Sequence, residues 1–230
     1  MSIEFRSNMA VELIDAMGDD DSVARAARVS SGTTGTPEKN RGLINMLMRD
    51  RHGSPFEAVT LQFRIECPVF VAREFFRHRI ASYNEVSGRY QVMKPVFYVP
   101  AEGRPLQQTG KPGAYRFEPG TPEQHSLTVT AHKSAAAWSW EHYEWLLKEG
   151  VAREVARNVL PLSLYTSFYV TLNLRSLLNL LSLRWAHPES TVPTFPLKEI
   201  EDIAKQLDEH ARFVAPAAMT AFDTHGRVAP

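Results

Sequence analysis

The densest chemistry in this 230-residue chain lies at Arg77-His78-Arg79-Ile80-Ala81-Ser82-Tyr83-Asn84-Glu85-Val86-Ser87-Gly88-Arg89. Three arginines, a histidine, two serines, an asparagine and a glutamate within thirteen residues cannot all be core. Cations this close repel unless an anion sits among them. Ser87-Gly88-Arg89 has the makings of a phosphate cradle: a hydroxyl, backbone N–H groups freed by glycine, and a guanidinium fork. Glu85 can balance the arginines or accept hydrogen bonds from a ribose. The plain alternative is a solvated basic loop with an internal Glu–Arg pair.

Further along, Arg184 closes the apolar string LLSLR, where a guanidinium is costly to bury unless an anion or polar ligand meets it. The alternative is an exposed arginine complementing a helix C-terminus. Arg153 and Arg157 are four residues apart, hence neighbours on one helix face. Arg175 and Asn179 share a face in the same way, whereas Asn173 and Arg175 diverge on a regular helix. Cys67, the single cysteine, sits in an alternating strand with neither a base nor a helix N-terminus to activate it, so it reads as structural. One cysteine also excludes a disulfide framework and a Cys-built zinc site, and no metal is expected. Trp138, Trp140, Tyr143 and Trp145 read as packing or subunit contact. Ser87 lacks a base partner and reads as phosphate-binding.

The elements that must position these residues alternate in type. The stretch before Ser30 reads as strand or short helix, an acidic turn, then a helix. Thr36-Pro37 caps a second helix, broken at His52-Gly53-Ser54-Pro55. Residues 58–70 alternate apolar and polar side chains, as a half-buried strand does, and VAREFFRHR then reads as helix. QVMKPVFYVP reads as an edge strand, and 101–120, rich in Gly and Pro, as a surface loop. Thr121-Pro122-Glu123-Gln124 is a capping box opening a helix to about Gly150. Residues 151–185 read as helix buried nearly all round, interrupted at Pro161, and Pro193 and Pro196 precede a last amphipathic helix. The expected fold is α+β, one domain over 1–230, with a small antiparallel sheet packed on a long helical bundle.

Composition narrows the class. Hydrophobic residues at 43% and charged residues at 23% argue against wholesale disorder. Net charge is zero, with 19 Arg against 7 Lys, an excess consistent with codon bias except where placement says otherwise. Glu74 and Glu85 interrupt the basic stretch, which argues against a nucleic-acid stripe. No apolar run spans a bilayer, and the N-terminal decapeptide lacks secretory character. A cytoplasmic protein with no membrane or nucleic-acid partner is expected.

The string R-H-R-x-x-S-x-N-E-x-S-x-R matches all eight fixed positions of the signature of the flavin-dependent thymidylate synthases, and the chain resembles that family over nearly its whole length. Ala27-Arg28-Val29-Ser30 resembles its early flavin-contact segment and Ser54-Pro55-Phe56-Glu57 its S/T-P-F-E segment. Arg153-Glu154-Val155-Ala156-Arg157 and the block from Asn173 to Arg184 resemble its downstream blocks. The resemblance implies the fold of the thymidylate synthase complementing proteins and a homotetramer with active sites at subunit interfaces. It implies that a one-carbon unit from methylenetetrahydrofolate reaches carbon 5 of a uridine 5′-monophosphate, with reduced FAD as hydride source and NADPH as its reductant. Carried over by position, Ser30, Arg77, His78, Arg79, Asn173, Arg175 and Asn179 contact FAD. Glu74, Glu85, Ser87, Gly88, Arg89 and Arg157 hold the nucleotide. Arg184 grips and polarises the pyrimidine, a task suited to a preorganised donor aimed at developing charge.

Three positions depart from the family pattern. Ala58 stands where a His near flavin and folate is usual, Leu174 where the N-A-R block has Ala, and Leu197 where close relatives carry Gln. His52 is a candidate substitute for the missing His. The sequence is also similar to the flavin-dependent UMP methylases of nucleoside-antibiotic (polyoxin-type) pathways. Admitting one extra hydroxyl is a modest change for a pocket. The departures lean toward UMP and leave dUMP, the housekeeping substrate, open. A flavoprotein silenced through Ala58 is the rival reading.

Overall fold

Residues 60–68 read Thr-Leu-Gln-Phe-Arg-Ile-Glu-Cys-Pro, and Leu61, Phe63, Ile65 and Cys67 are fully buried while Arg64 is exposed. That period-two burial is the expected half-buried strand. The computed structural model describes residues 2–111 and 115–230. Its strands are β1 (Glu4–Arg6), β2 (Ala10–Met17), β3 (Thr60–Pro68), β4 (Ser82–Glu85), β5 (Val96–Tyr98), β6 (Gln107–Thr109), β7 (Arg116–Glu118) and β8 (Tyr165–Asn173). Its helices are α1 (Asp20–Arg28), α2 (Pro37–Arg49), α3 (Val69–Phe75), α4 (Pro122–Lys148), α5 (Arg153–Ala156), α6 (Leu174–Arg184), α7 (Lys198–Val214) and α8 (Pro216–Thr224). The fold class is α+β, as expected. Among the described residues no helix is long and apolar enough to cross a membrane.

The chain forms two compact units, each assembled from three stretches. The larger comprises Met9–Ile65, Phe75–Asn84 and Phe168–Pro230. It carries most of a four-stranded sheet in the order β2-β3-β8-β4. Helix α7 packs on β2 and against α6 and α8, and α2 packs against α8. Ile200, Ile203, Ala204, Leu207 and Ala211 supply the buried stripe of α7 at helical spacing. The expected cap of α2 is present, with Thr36 accepting the Lys39 N–H, and the structure adds a capping box of Asp19 with Ser22 at α1.

The smaller unit ends its first stretch at Asn8 and adds Glu66–Glu74 and Glu85–Ser167. Its β1 and β5 pair in parallel, and β6 and β7 form an antiparallel pair. Thr121 and Gln124 form the expected capping box of α4, and Gly150, φ +79°, follows its end. Trp140 and Tyr143 are buried with Phe97, Ala136, Ala156 and Leu164, whereas Trp138 and Trp145 are exposed. The expected surface loop at 101–120 contains β6 and β7, and its residues 112–114 lie outside the described residues.

Two expectations fail. The 151–185 stretch is not a buried helix throughout: Tyr165–Asn173 is strand β8, with Tyr165, Thr166, Phe168, Val170 and Leu172 buried. Its aromatic and β-branched residues favour a pleated surface, and Asn173 caps the following helix instead of continuing one. Helix α3 also stops at Phe75, so Arg77-His78-Arg79 leaves the helix and lies in irregular backbone.

Candidate active site

Helix α6 begins where β8 ends. The Asn173 side chain accepts the Ser176 N–H at 2.9 Å, and the Leu174 N–H donates to the Val59 carbonyl at 2.8 Å. These two bonds set the start of α6 against the larger unit's sheet and leave Arg175 and Asn179 on its outer side, with Arg184 as its last residue. Asn173, Arg175, Asn179 and Arg184 line a cavity of about 550 Å³ together with Arg77, His78, Arg79 and Glu57. That volume falls in the range of small-ligand sites. Asn173 and Arg175 meet there because Asn173 is the cap, not a turn of the helix.

Arg184 is half-buried, and its Nε donates to His78 Nε2 at 3.0 Å. Burial, with the Arg184 charge beside it, pushes His78 down to about 4. The His78 carbonyl accepts from the Tyr83 hydroxyl at 2.6 Å, and the His78 ring meets Phe75 edge-on with centroids 6.3 Å apart. Burial pushes the Tyr83 phenol up to about 12, so it remains a donor at neutral pH. In the lining of the same cavity, Arg175 Nη1 donates to Glu57 Oε1 at 2.7 Å and its Nε to the Pro230 backbone oxygen at 3.1 Å. Gly53 makes this crossing possible: a Cβ there would stand 2.4 Å from Arg175 Nε and 2.6 Å from the Pro230 oxygen.

The residues expected to hold a nucleotide lie in the smaller unit, Arg184 apart. Gly88 sits in a turn closed by Tyr90 N–H to Ser87 carbonyl at 3.1 Å. A Cβ on Gly88 would meet Arg157 Cδ and Met93 Sδ, each at 3.0 Å, so glycine lets the turn pack on the Arg157 stem. Ser87 Oγ accepts the Arg89 N–H at 3.3 Å, and Glu85 Oε1 accepts from Thr166 Oγ1 at 2.7 Å. Arg89 Nε pairs with Glu154 Oε2 at 2.9 Å; both side chains are about half exposed. Arg89, Tyr90, Arg153 and Glu154 line an open cavity of about 610 Å³. Glu74 is half-buried on α3.

A larger cavity, about 740 Å³, lies on α1, α2 and α8 and contains Asp19, Asp20 and Asp21. Asp20 spends both oxygens on the Ala217 and Ala218 N–H groups at 2.7 and 2.9 Å, capping α8. None of the expected site residues lines it.

Residues 12–217 match the family described as thymidylate synthase complementing protein. The chain belongs to this family. The flavin-dependent thymidylate synthase of Streptomyces coelicolor is 47% identical over 236 residues, spanning 99% of this chain and 96% of that protein. That of Tropheryma whipplei is 47% identical over 232 residues, spanning 98% and 97%. Among solved structures, a UMP/dUMP methylase, PolB, from Streptomyces cacaoi bound with 5-bromo-UMP superposes with a TM-score of 0.94, at 42% identity and full coverage of both chains. The same protein bound with 5-bromo-dUMP gives 0.93 at 41% identity.

Within the family frame, six of the seven residues expected at the flavin gather in the larger unit's cavity. Ser30 does not line it; it is exposed after α1 and its hydroxyl donates to the Ala27 carbonyl at 3.2 Å. Of the departures, Leu174 is fully buried, so its extra bulk serves packing. Leu197 precedes α7 and caps it with no side-chain hydrogen bond. Ala58 ends a 3-10 turn, Ser54–Ala58, and neither it nor exposed His52 lines the cavity. Sequence reasoning assigned no role to Glu57, Tyr83, Glu154 or Pro230. Glu57 and Glu154 sit inside quoted motif segments, a signal that was available; Pro230 is 55 residues from its partner Arg175 and carried none.

The cavity suits an acceptor-rich, anionic group such as FAD. It gathers four arginines and two carboxamides against one carboxylate, Glu57, which Arg175 already engages. The N-terminal turn of α6 adds positive potential at the same place.

Proposed function

We propose that this chain catalyses reductive methylation of carbon 5 of a uridine 5′-monophosphate, with methylenetetrahydrofolate as one-carbon donor, NADPH as reductant and UMP as the preferred nucleotide. The enzyme class is that of its family: an FAD-dependent, thymidylate synthase-like methyltransferase. The observation that carries the reading is the single cavity in which Arg184 joins Arg77, His78, Arg79, Asn173, Arg175 and Asn179. Arg77, His78, Arg79, Asn173, Arg175 and Asn179 hold the flavin, which when bound supplies the hydride. Ser30 joins them at the flavin's edge.

Glu74, Glu85, Ser87, Gly88, Arg89 and Arg157 hold the nucleotide, with Arg89 and the turn at Gly88 on the phosphate. Arg184 binds the pyrimidine and stabilises charge that gathers on its carbonyl during attack. The chain acts as one catalytic domain over 1–230 in a cytoplasmic homotetramer whose active sites lie at subunit interfaces. Support for UMP comes from Ala58 and from the likeness to a UMP/dUMP methylase. The 47% identical relatives named as thymidylate synthases favour dUMP as the second reading.

The test is product mass after incubation with FAD, NADPH and methylenetetrahydrofolate, with UMP and dUMP competing in one tube. A methyl group on both, with higher kcat/KM for UMP, is expected. Preference for dUMP overturns the UMP assignment, and no methylation of either overturns the activity.

A further inference from the structure

The Arg184–His78 hydrogen bond settles a protonation state by donor counting alone. A guanidinium has donors and no acceptor. The 3.0 Å contact between Arg184 Nε and His78 Nε2 therefore requires a lone pair on Nε2. The imidazole must be neutral, with its proton on Nδ1. The surroundings agree. Arg184 is its direct partner, Arg77 and Arg79 flank it in sequence, and Arg175 lines the same cavity. Glu57, the carboxylate lining that cavity, is engaged by Arg175, and Tyr83 approaches through its hydroxyl to the His78 carbonyl. Burial disfavours imidazolium, and the Arg184 charge beside the ring adds to this.

The pair is also held from behind. The His78 N–H donates to the Phe75 carbonyl at 3.1 Å, Tyr83 holds the His78 carbonyl, and Phe75 is fully buried against the ring's edge. Arg184 sits at the end of α6, whose Leu177, Leu178, Leu180 and Leu181 are in the core. Two anchored elements thus meet at one hydrogen bond.

We propose that His78 is a positioning residue for Arg184: its Nε2 lone pair fixes the guanidinium plane, and Arg184 in return locks the ring as the Nδ1–H tautomer. The cavity then presents one charged and one neutral donor to the carbonyl groups of a planar imide, whether from the flavin ring or from the pyrimidine. The choice of ligand rests on the methylase reading; the locked tautomer does not.

Nitrogen NMR of the 15N-histidine-labelled protein tests the tautomer, with His78 assigned by its loss in His78→Gln. A bare Nε2 and a protonated Nδ1, with no titration from pH 5 to 8, are expected. In Arg184→Met the ring is expected to lose that tautomer bias and titrate within the window. A protonated Nε2, or a spectrum indifferent to Arg184→Met, overturns the proposal.

Kinetics then test the consequence, with bound flavin measured by absorbance in each variant. His78→Leu is expected to lower kcat per bound flavin about 10²-fold. His78→Gln, whose amide oxygen accepts in place of Nε2, is expected to recover most of that loss. Equal kcat per bound flavin in Leu and Gln variants overturns the positioning role. Titrating FAD and UMP separately against His78→Leu tells which imide the pair serves, because only that ligand's affinity falls. If no nucleotide is methylated by the unaltered protein, the NMR result still decides the tautomer.

Discussion

Arg184 in the larger unit and Arg89 in the smaller unit are both arginines assigned to one nucleotide, yet they are held in opposite ways. Arg184 is half-buried, ends a core helix and donates to a histidine that is itself pinned by Tyr83 and Phe75. Arg89 stands in a turn, about half exposed, and its carboxylate partner Glu154 is equally exposed. An exposed pair contributes about 0–1 kcal/mol and is readily exchanged for another anion. A half-buried donor with a fixed partner needs little reorganisation as charge develops. Under the proposed function the contrast matches separate tasks: phosphate capture for the smaller unit's arginine, and the chemical step for the larger unit's arginine.

The largest break in that contrast comes from Arg184→Ala. Its kcat is expected to fall about 10²–10³-fold while FAD stays bound, read by turnover and flavin absorbance on one sample. Turnover near the unaltered rate would remove Arg184 from the chemistry. Arg89→Gln is expected to raise nucleotide KM about 10–100-fold, the worth of a charge-assisted hydrogen bond, and to leave kcat nearly intact. A fall in kcat instead would merge the two tasks.

A smaller effect concerns pH. His78 is held near 4 in the folded chain, against its ordinary 6.5. The unfolded chain therefore binds the extra proton below about pH 6.5. Stability from this site is full above pH 6.5 and lost as pH falls toward 4. Chemical unfolding at pH 5 and pH 7 is expected to show a slope that shrinks in His78→Gln; an unchanged slope counts against the assignment. The smallest effect is that of Glu154→Gln. It is expected to lower stability by no more than about 1 kcal/mol, and to tighten UMP but not uridine binding by a few fold at low salt. Tightening of uridine as well would mean that Glu154 acts on the base or sugar.

These two regions were not equally legible in sequence. The run from Arg77 to Arg89 carries its chemistry locally, so residue types and spacing alone singled it out. The caps at Thr36 and Thr121 were equally plain, because capping is a matter of three or four adjacent residues. Strand β8 was hidden, since a short apolar stretch fits a buried helix or a buried strand until a neighbouring strand chooses. The exit of His78 from α3 was hidden too, and with it the bond to Arg184, 106 residues away. The Glu57–Arg175 pair spans 118 residues, and no periodicity in either segment announces it. The alternative of an internal Glu–Arg pair in the basic loop was half right. Arg89 does meet a glutamate, but it is Glu154 in α5, while Glu85 takes the Thr166 hydroxyl.

The most direct measurement is a single turnover with chemically reduced flavin, which removes NADPH from the question. Protein loaded with FAD and reduced under anaerobic conditions is mixed with methylenetetrahydrofolate and either UMP or dUMP. The account predicts that flavin absorbance returns in step with a methyl group appearing on carbon 5, faster with UMP. Flavin that stays reduced, or reoxidises while both nucleotides remain unmethylated, would contradict it.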